Sequence, residues 1–252
     1  MYDYLGTPIG APGDQSACRT ILVLGDSLAK EVVTVLSASY DQHDYCVTVV
    51  NGAVDGANTM ATPQGQTMSN LLADFAKGYT PDAVVFSFVG NVMPAQVATA
   101  RSAYLTLIDQ AASYGRPVFV TTPPVSAGFC NPDDPWTRGH AAFREFVLKS
   151  LPALRTYTPV RWSEVLTPGS TWARFNDSLR FNDGVRPVRS FDCVHLGKRT
   201  GTTTRGETVA AAEIVAATQG LWALPEPPEL PEVPEPDPTA EASELPPPEP
   251  VG

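Results

Sequence analysis

Short apolar runs of strand length alternate along this chain with longer segments of helical spacing, and that alternation narrows the available folds more than any other feature. "TILVLG" (20–25), "CVTVVNG" (46–52), "DAVVFSFVGN" (82–91) and "PVFVTTPPV" (117–125) read as buried strands, and "TPVRWSEV" (158–165) as a fifth. Between them lie "SLAKEVVTVLSASY", "TMSNLLADFAKGY" and the long "PAQVATARSAYLTLIDQAASYG", which Pro94 opens and Gly115 closes. "TRGHAAFREFVLKSLPAL" and "TVAAAEIVAATQGLWAL" extend the helical series. Strand, helix, strand, helix specifies a parallel sheet covered by helices on both faces, so the expectation is one α/β domain.

The two ends are read separately. Residues 225–252 carry eight acidic residues and eleven prolines with no Lys or Arg, a composition that cannot build a core. They are expected to form a solvated end or an extended, self-repelling spacer that tethers the domain or links it to a partner. Residues 1–17 form an N-terminal extension, which places the folded domain at 18–224. The net charge of −10 belongs mostly to the tail, since without its eight acids the chain holds 19 acidic residues against 17 basic ones. A near-neutral body lacks the basic footprint of a nucleic-acid binder. No apolar run reaches membrane-spanning length, and the first twenty residues lack the charged start and apolar middle of a signal peptide.

Four cysteines are present, none in a C-x-x-C pair, which argues against zinc and thioredoxin-type readings. If the first two strands are parallel neighbours, Cys18 and Cys46 lie together at one sheet end, whereas Cys130 and Cys193 fall at the other. The expected pairing is 18–46 with 130–193, implying an oxidising compartment outside the cell or in its envelope; the alternative is four buried, reduced thiols.

In an open α/β sheet the ligand crevice lies beyond the carboxyl ends of the strands. Four polar clusters fall there: Gly25-Asp26-Ser27, Asn51 to Gly56, Gly90-Asn91, and Asp192 to His195 before the last helix. Together they hold every group that acyl transfer needs. The Ser27 hydroxyl requires a base, which His195 can supply, and Asp192, three residues earlier, can fix the imidazole tautomer. The Ser27 and Gly56 backbone N–H groups with the Asn91 side-chain amide can stabilise an oxyanion. Ser27 or Asp26 can also serve as a helix N-cap. Asp55 is read as a turn residue, and His43 and His140 as surface residues. One histidine leaves this cluster short of ligands for a catalytic metal.

These motifs, "GDSL" at 25–28, "NGAVDGAN" after the second strand, Asn91 after the third and "DCVH" at 192–195, resemble the GDSL or SGNH hydrolase family over about residues 18 to 224. The resemblance implies a flavodoxin-like three-layer α/β/α sandwich with a five-stranded parallel sheet. It implies the roles just given for Ser27, Gly56, Asn91, Asp192 and His195, with Gly52 the alternative to Gly56, and no cofactor or metal. The family's Gly-x-Asn-Asp block reads "VGNV" here, with Val89 and Val92 at its ends. "VRPVRSFDCVH" is also similar to SGNH domains attached to acyltransferases of bacterial envelope sugars.

The implied activity is hydrolysis of short acyl esters, acetyl foremost, on small molecules or polysaccharides. An O-acyltransferase using the same triad and a non-catalytic cell-wall or virion binding module are the alternatives. Trp136, Trp172 and Phe175, in long loops flanking the site, can form a sugar platform or pack inward as anchors.

Overall fold

The computed structural model describes residues 18–127, 131–168, 178–181, 184–189, 192–196 and 205–222. Five strands, β1 (Arg19–Gly25), β2 (Val47–Ala53), β3 (Ala83–Ser87), β4 (Val118–Thr121) and β5 (Thr158–Val160), form one parallel sheet in the order β2-β1-β3-β4-β5. This is the flavodoxin-like order, whose topological switch point lies beside β1, where the Gly25-Asp26-Ser27 turn emerges.

Alternation along the strands divides the core. Ile21 and Val23 of β1 face one side with α1 (Ser27–Asp41) and α7 (Gly206–Thr218). Leu22 and Leu24 face the other, with α2 (Met68–Tyr79), α3 (Val97–Ser113) and the apolar side of α4 (Pro135–Glu145). Both sets are fully buried, which is why these strands read as continuous apolar runs. The result is the expected three-layer sandwich. Among the described residues no helix is long and apolar enough to cross a membrane.

The parallel register places Arg19 opposite Val47, so Cys18 and Cys46 stand side by side and are joined by a disulfide, with Cα atoms 4.5 Å apart. Cys193 is also disulfide-bonded; its expected partner, Cys130, lies outside the described residues, as do Trp172 and Phe175.

Three local expectations need correction. The fifth strand stops at Val160, and Trp162–Leu166 form helix α6 instead. Pro159 has no N–H to donate, which suits a short edge strand, and the buried Trp162 turns inward to donate its indole N–H to Ala210 O at 3.0 Å. The helix expected over 137–154 begins earlier, at Pro135, where Asp134 caps it by accepting from Trp136 N, and widens into a π-turn over Phe146–Ser150 before the short α5 (Leu151–Leu154). Pro152 cannot supply the N–H that an α-turn would require there. Finally, the long loop before the last helix contains an antiparallel hairpin, β6 (Ser178–Phe181) with β7 (Gly184–Pro187).

Candidate active site

The polar clusters converge. A cavity of about 620 Å³ at the carboxyl end of the sheet is lined by Ser27, Lys30, Glu31, Thr34, Asp55, Gly56, Asn91 and His195.

The turn after β1 determines which residue of "GDSL" is free to act. β1 and β3 approach so closely here that a Cβ on Gly25 would overlap the Ser87 carbonyl oxygen. Asp26, fully buried, is the N-cap of α1: its Oδ1 accepts from Leu28 N at 3.1 Å, and its Oδ2 accepts from Val89 N at 2.7 Å. Burial pushes its carboxyl up to about 7 despite those two donors. Because Asp26 caps the helix, Ser27 becomes its first residue and its hydroxyl is available. Ser27 Oγ lies 3.0 Å from His195 Nε2.

His195 is held from the other side. Its Nδ1 is 2.5 Å from Asp192 Oδ2, where an Nδ1–H can donate to the carboxylate while Nε2 faces Ser27. Asp192 Oδ1 accepts from Val194 N at 3.1 Å and from His195 N at 3.0 Å, so the tight turn that brings Asp192 to the ring is stabilised by the same side chain. Arg189, 3 % exposed, donates through Nη1 to Ser126 Oγ, Cys193 O and Val194 O. Glu31, one turn along α1 from Ser27, accepts from Leu196 N at 2.8 Å and so ties the histidine segment to the serine's own helix. Sequence reasoning passed over both Arg189 and Glu31. Arg189 lay within the quoted "VRPVRSFDCVH", and Glu31 had the i+4 spacing from Ser27 that puts two residues on one helix face.

Opposite the serine, Gly56 faces the cavity with φ +72°, and among the described residues no carbonyl accepts its N–H. Gly52, the alternative, is an internal β2 residue packed against Leu24 and Phe75. Ser27 N lies in the first turn of α1, where N–H groups have no acceptor within the helix. Asn91 Nδ2 donates to Ala57 O at 3.0 Å and retains a second N–H. Asp55, read as a turn residue, lines the cavity and pairs with Lys30 at 2.6 Å.

Of two residues of α4, one falls elsewhere than expected and the other takes the inward of its two expected placements. His140 is fully buried rather than at the surface, with ring nitrogens against the Val89 and Pro124 carbonyls. Burial pushes it down to about 4, so it is neutral near pH 7 and has one ring N–H to share between those two carbonyls. Trp136 packs inward: its ring stacks on His140 with centroids 5.1 Å apart, and its Nε1 donates to Asn91 Oδ1 at 3.1 Å. Gly139 allows this approach, because a Cβ there would overlap the Val92 carbonyl oxygen. His43 is half-buried beside Tyr45.

No family model matches the chain, and no curated protein matches it in sequence. Solved structures do match in fold. A lipase/acylhydrolase from Enterococcus faecalis is 19 % identical with a TM-score of 0.56, the match covering 81 % of this chain and 96 % of that one. A GDSL-like lipase from Bacteroides thetaiotaomicron is 14 % identical with a TM-score of 0.51, over 81 % of this chain and 89 % of the other. A family 3 carbohydrate esterase from Clostridium thermocellum is 16 % identical with a TM-score of 0.52, over 82 % and 98 %. The chain has the fold of the SGNH/GDSL hydrolases.

Proposed function

We propose that this protein is a serine esterase that removes short acyl groups, acetyl foremost, from hydroxyls of a polar carrier such as a carbohydrate. The observation that carries this reading is the hydrogen-bonded row from Asp192 through His195 to Ser27 at the mouth of the cavity. Ser27 Oγ attacks the ester carbonyl while His195 Nε2 takes its proton, and Asp192 stabilises the imidazolium that forms. The Ser27 and Gly56 N–H groups and the free N–H of Asn91 Nδ2 receive the oxyanion. Collapse breaks the C–O bond to the alcohol, which leaves with the proton from His195. Water, deprotonated by the same nitrogen, then cleaves the acyl-serine and restores the hydroxyl.

The lining supports a short acyl group. Among the described residues, none of those lining the cavity carries a large apolar side chain, so a long chain would gain little from them. Acylhydrolase and carbohydrate esterase, the names of two like-folded structures, are consistent with ester hydrolysis. We read residues 18–224 as the catalytic domain and 225–252 as a spacer. The disulfide-bonded state of Cys18, Cys46 and Cys193 supports an oxidising compartment.

The test is turnover of p-nitrophenyl acetate by wild type, Ser27→Ala and His195→Ala, with intact mass spectrometry of quenched wild type. Each substitution is expected to lower kcat by about 10³-fold or more, because triad members act as a unit, and wild type should show a transient acetyl adduct. Turnover that survives Ser27→Ala would overturn the reading. Repeating the assay with a sugar acceptor separates hydrolysis from acyl transfer by its products.

A further inference from the structure

The Asn91 amide presents two ends of nearly the same shape, and only the nitrogen end can donate to an oxyanion. What turns that end toward the cavity is decided by its partners. Ala57 O can only accept, so it takes an N–H of Nδ2 at 3.0 Å. The indole of Trp136 can only donate, so it takes Oδ1 at 3.1 Å. Between an obligate acceptor and an obligate donor the amide has one orientation, with the second N–H of Nδ2 left over. Without the indole, only the bond to Ala57 O opposes rotation of the side chain.

Trp136 is itself fixed. It lies in the first turn of α4, its backbone N–H taken by the Asp134 cap and its ring stacked on the buried His140 with an interplanar angle of 7°. His140 grips the Val89 carbonyl, and Gly139 rests on the Val92 carbonyl. The first two turns of α4 therefore contact both ends of the 89–92 loop while the indole holds the side chain at its centre. Val89 and Val92 are both buried, so the loop's own flanking side chains bring no polar group to Asn91; the polar contact comes from a helix 45 residues further along.

From this geometry we infer that Trp136 is a positioning residue, whose indole N–H orients the Asn91 amide so that its nitrogen faces the oxyanion. The inference rests on the proposed esterase reading, in which Asn91 is a donor to the intermediate. A group that acts through an oxyanion donor affects the transition state and leaves ground-state binding alone.

The test is a double-mutant cycle on p-nitrophenyl acetate hydrolysis using Trp136→Phe, Asn91→Ala and the double variant, each checked for folding by circular dichroism. Trp136→Phe keeps the stacked ring and removes the donor. It is expected to lower kcat about 10-fold with KM changed less than about twofold, a fraction of the 10²–10³ that loss of a whole oxyanion donor costs. In the Asn91→Ala background it should have no further effect. A kcat equal to wild type, or a loss that adds fully to that of Asn91→Ala, would overturn the proposal. Should the Phe variant not fold, Trp136→Leu, which also lacks a donor, takes its place in the cycle.

A readout independent of turnover is hydrogen exchange of the Trp136 indole N–H by NMR. Protection that disappears in Asn91→Ala is expected. Exchange as fast as that of a solvent-exposed indole would overturn the clamp even in an active enzyme, whereas a protected indole in an inert wild type would fault the esterase reading and leave the clamp standing.

Discussion

The two sides of the cavity are built differently. The side carrying Ser27, Gly56 and Asn91 grows directly out of the sheet: β1, β2 and β3 end in it, and buried backbone and side-chain groups hold its turns. Asp26 grips the Val89 N–H, His140 the Val89 carbonyl, and Val54 N–H bonds to Gly25 O at 3.0 Å. The side carrying His195 has no strand of the main sheet. Arg189, the Glu31 carboxylate, the Asp192 turn, the Cys193 disulfide and the buried Leu196 hold it. Cys193 itself sits at φ +59°, a conformation that non-glycine residues adopt only when their surroundings impose it. Damage to the packing that holds the first side is therefore expected to appear as lost stability, and damage to the groups that hold the second as lost activity in a protein that still folds.

Gly25→Ala tests the first half of that contrast and should give the largest stability effect. The added methyl would overlap the Ser87 carbonyl oxygen and press on Ala29. Neither can move without parting β1 from β3 or tilting α1. A cost of about 3 kcal/mol or more is expected, equivalent to a fall in Tm of roughly 6–12 °C for a domain of this size. A thermal melt that leaves Tm within about 2 °C of wild type would mean that the strand ends yield more easily than their packing implies.

Arg189→Met tests the second half. The substitution keeps most of the stem's volume and removes the Nη1 donor that holds Ser126 Oγ, Cys193 O and Val194 O. In the proposed mechanism His195 takes its proton from Ser27 across the 3.0 Å contact, so a small displacement of its turn is costly for proton transfer, and kcat is expected to fall about 10- to 100-fold. Tm should fall less than in Gly25→Ala. A variant that melts early yet retains wild-type kcat would erase the distinction between the two sides.

The same contrast explains what could be read from the sequence. The parallel α/β layering and the pieces of the Ser27 side were legible because each is local: an apolar run ends, and a glycine and a polar residue follow; the order of the strands came only with the family resemblance. Asp192 and His195 were legible because three residues on a turn bring them into contact whatever surrounds them. The contribution of α4 was not, since Trp136 and His140 reach Asn91 and Val89 across separations of 45 and 51 residues that only packing determines. A faint signal existed in Gly139, a glycine inside a helical pattern, which marks close approach of another backbone. Pro159 likewise warned of a short edge strand, and Asn182-Asp183-Gly184 between "SLRF" and "VRP" carried a hairpin signal. Each was outweighed by the apolar or loop-like character of the residues around it.

The finest test uses the two titratable groups that hold the Val89 peptide from opposite sides. Burial raises Asp26 from 3.8 to about 7 and lowers His140 from 6.5 to about 4. A carboxyl that binds its proton more tightly when folded stabilises the protein fully below pH 3.8, and that contribution is lost as pH rises to about 7. An imidazole that stays neutral when folded does the reverse: its contribution is complete above pH 6.5 and is lost as pH falls to about 4. Between those limits the folded state keeps the proton on Asp26 and the unfolded state keeps it on His140, so the two slopes cancel and the pair leaves stability flat. Removing one partner exposes the other. The Tm difference between wild type and Asp26→Asn should be widest near pH 4.5 and narrow toward pH 7, whereas that between wild type and His140→Gln should be widest near pH 7 and narrow toward pH 4.5. Each difference should change by at most about 3 kcal/mol over that range. Thermal melts at intervals across this window would reveal the two opposed slopes. Differences that run parallel, or do not vary with pH, would mean that Asp26 is ionised and His140 protonated in the folded protein, holding Val89 as a charged pair.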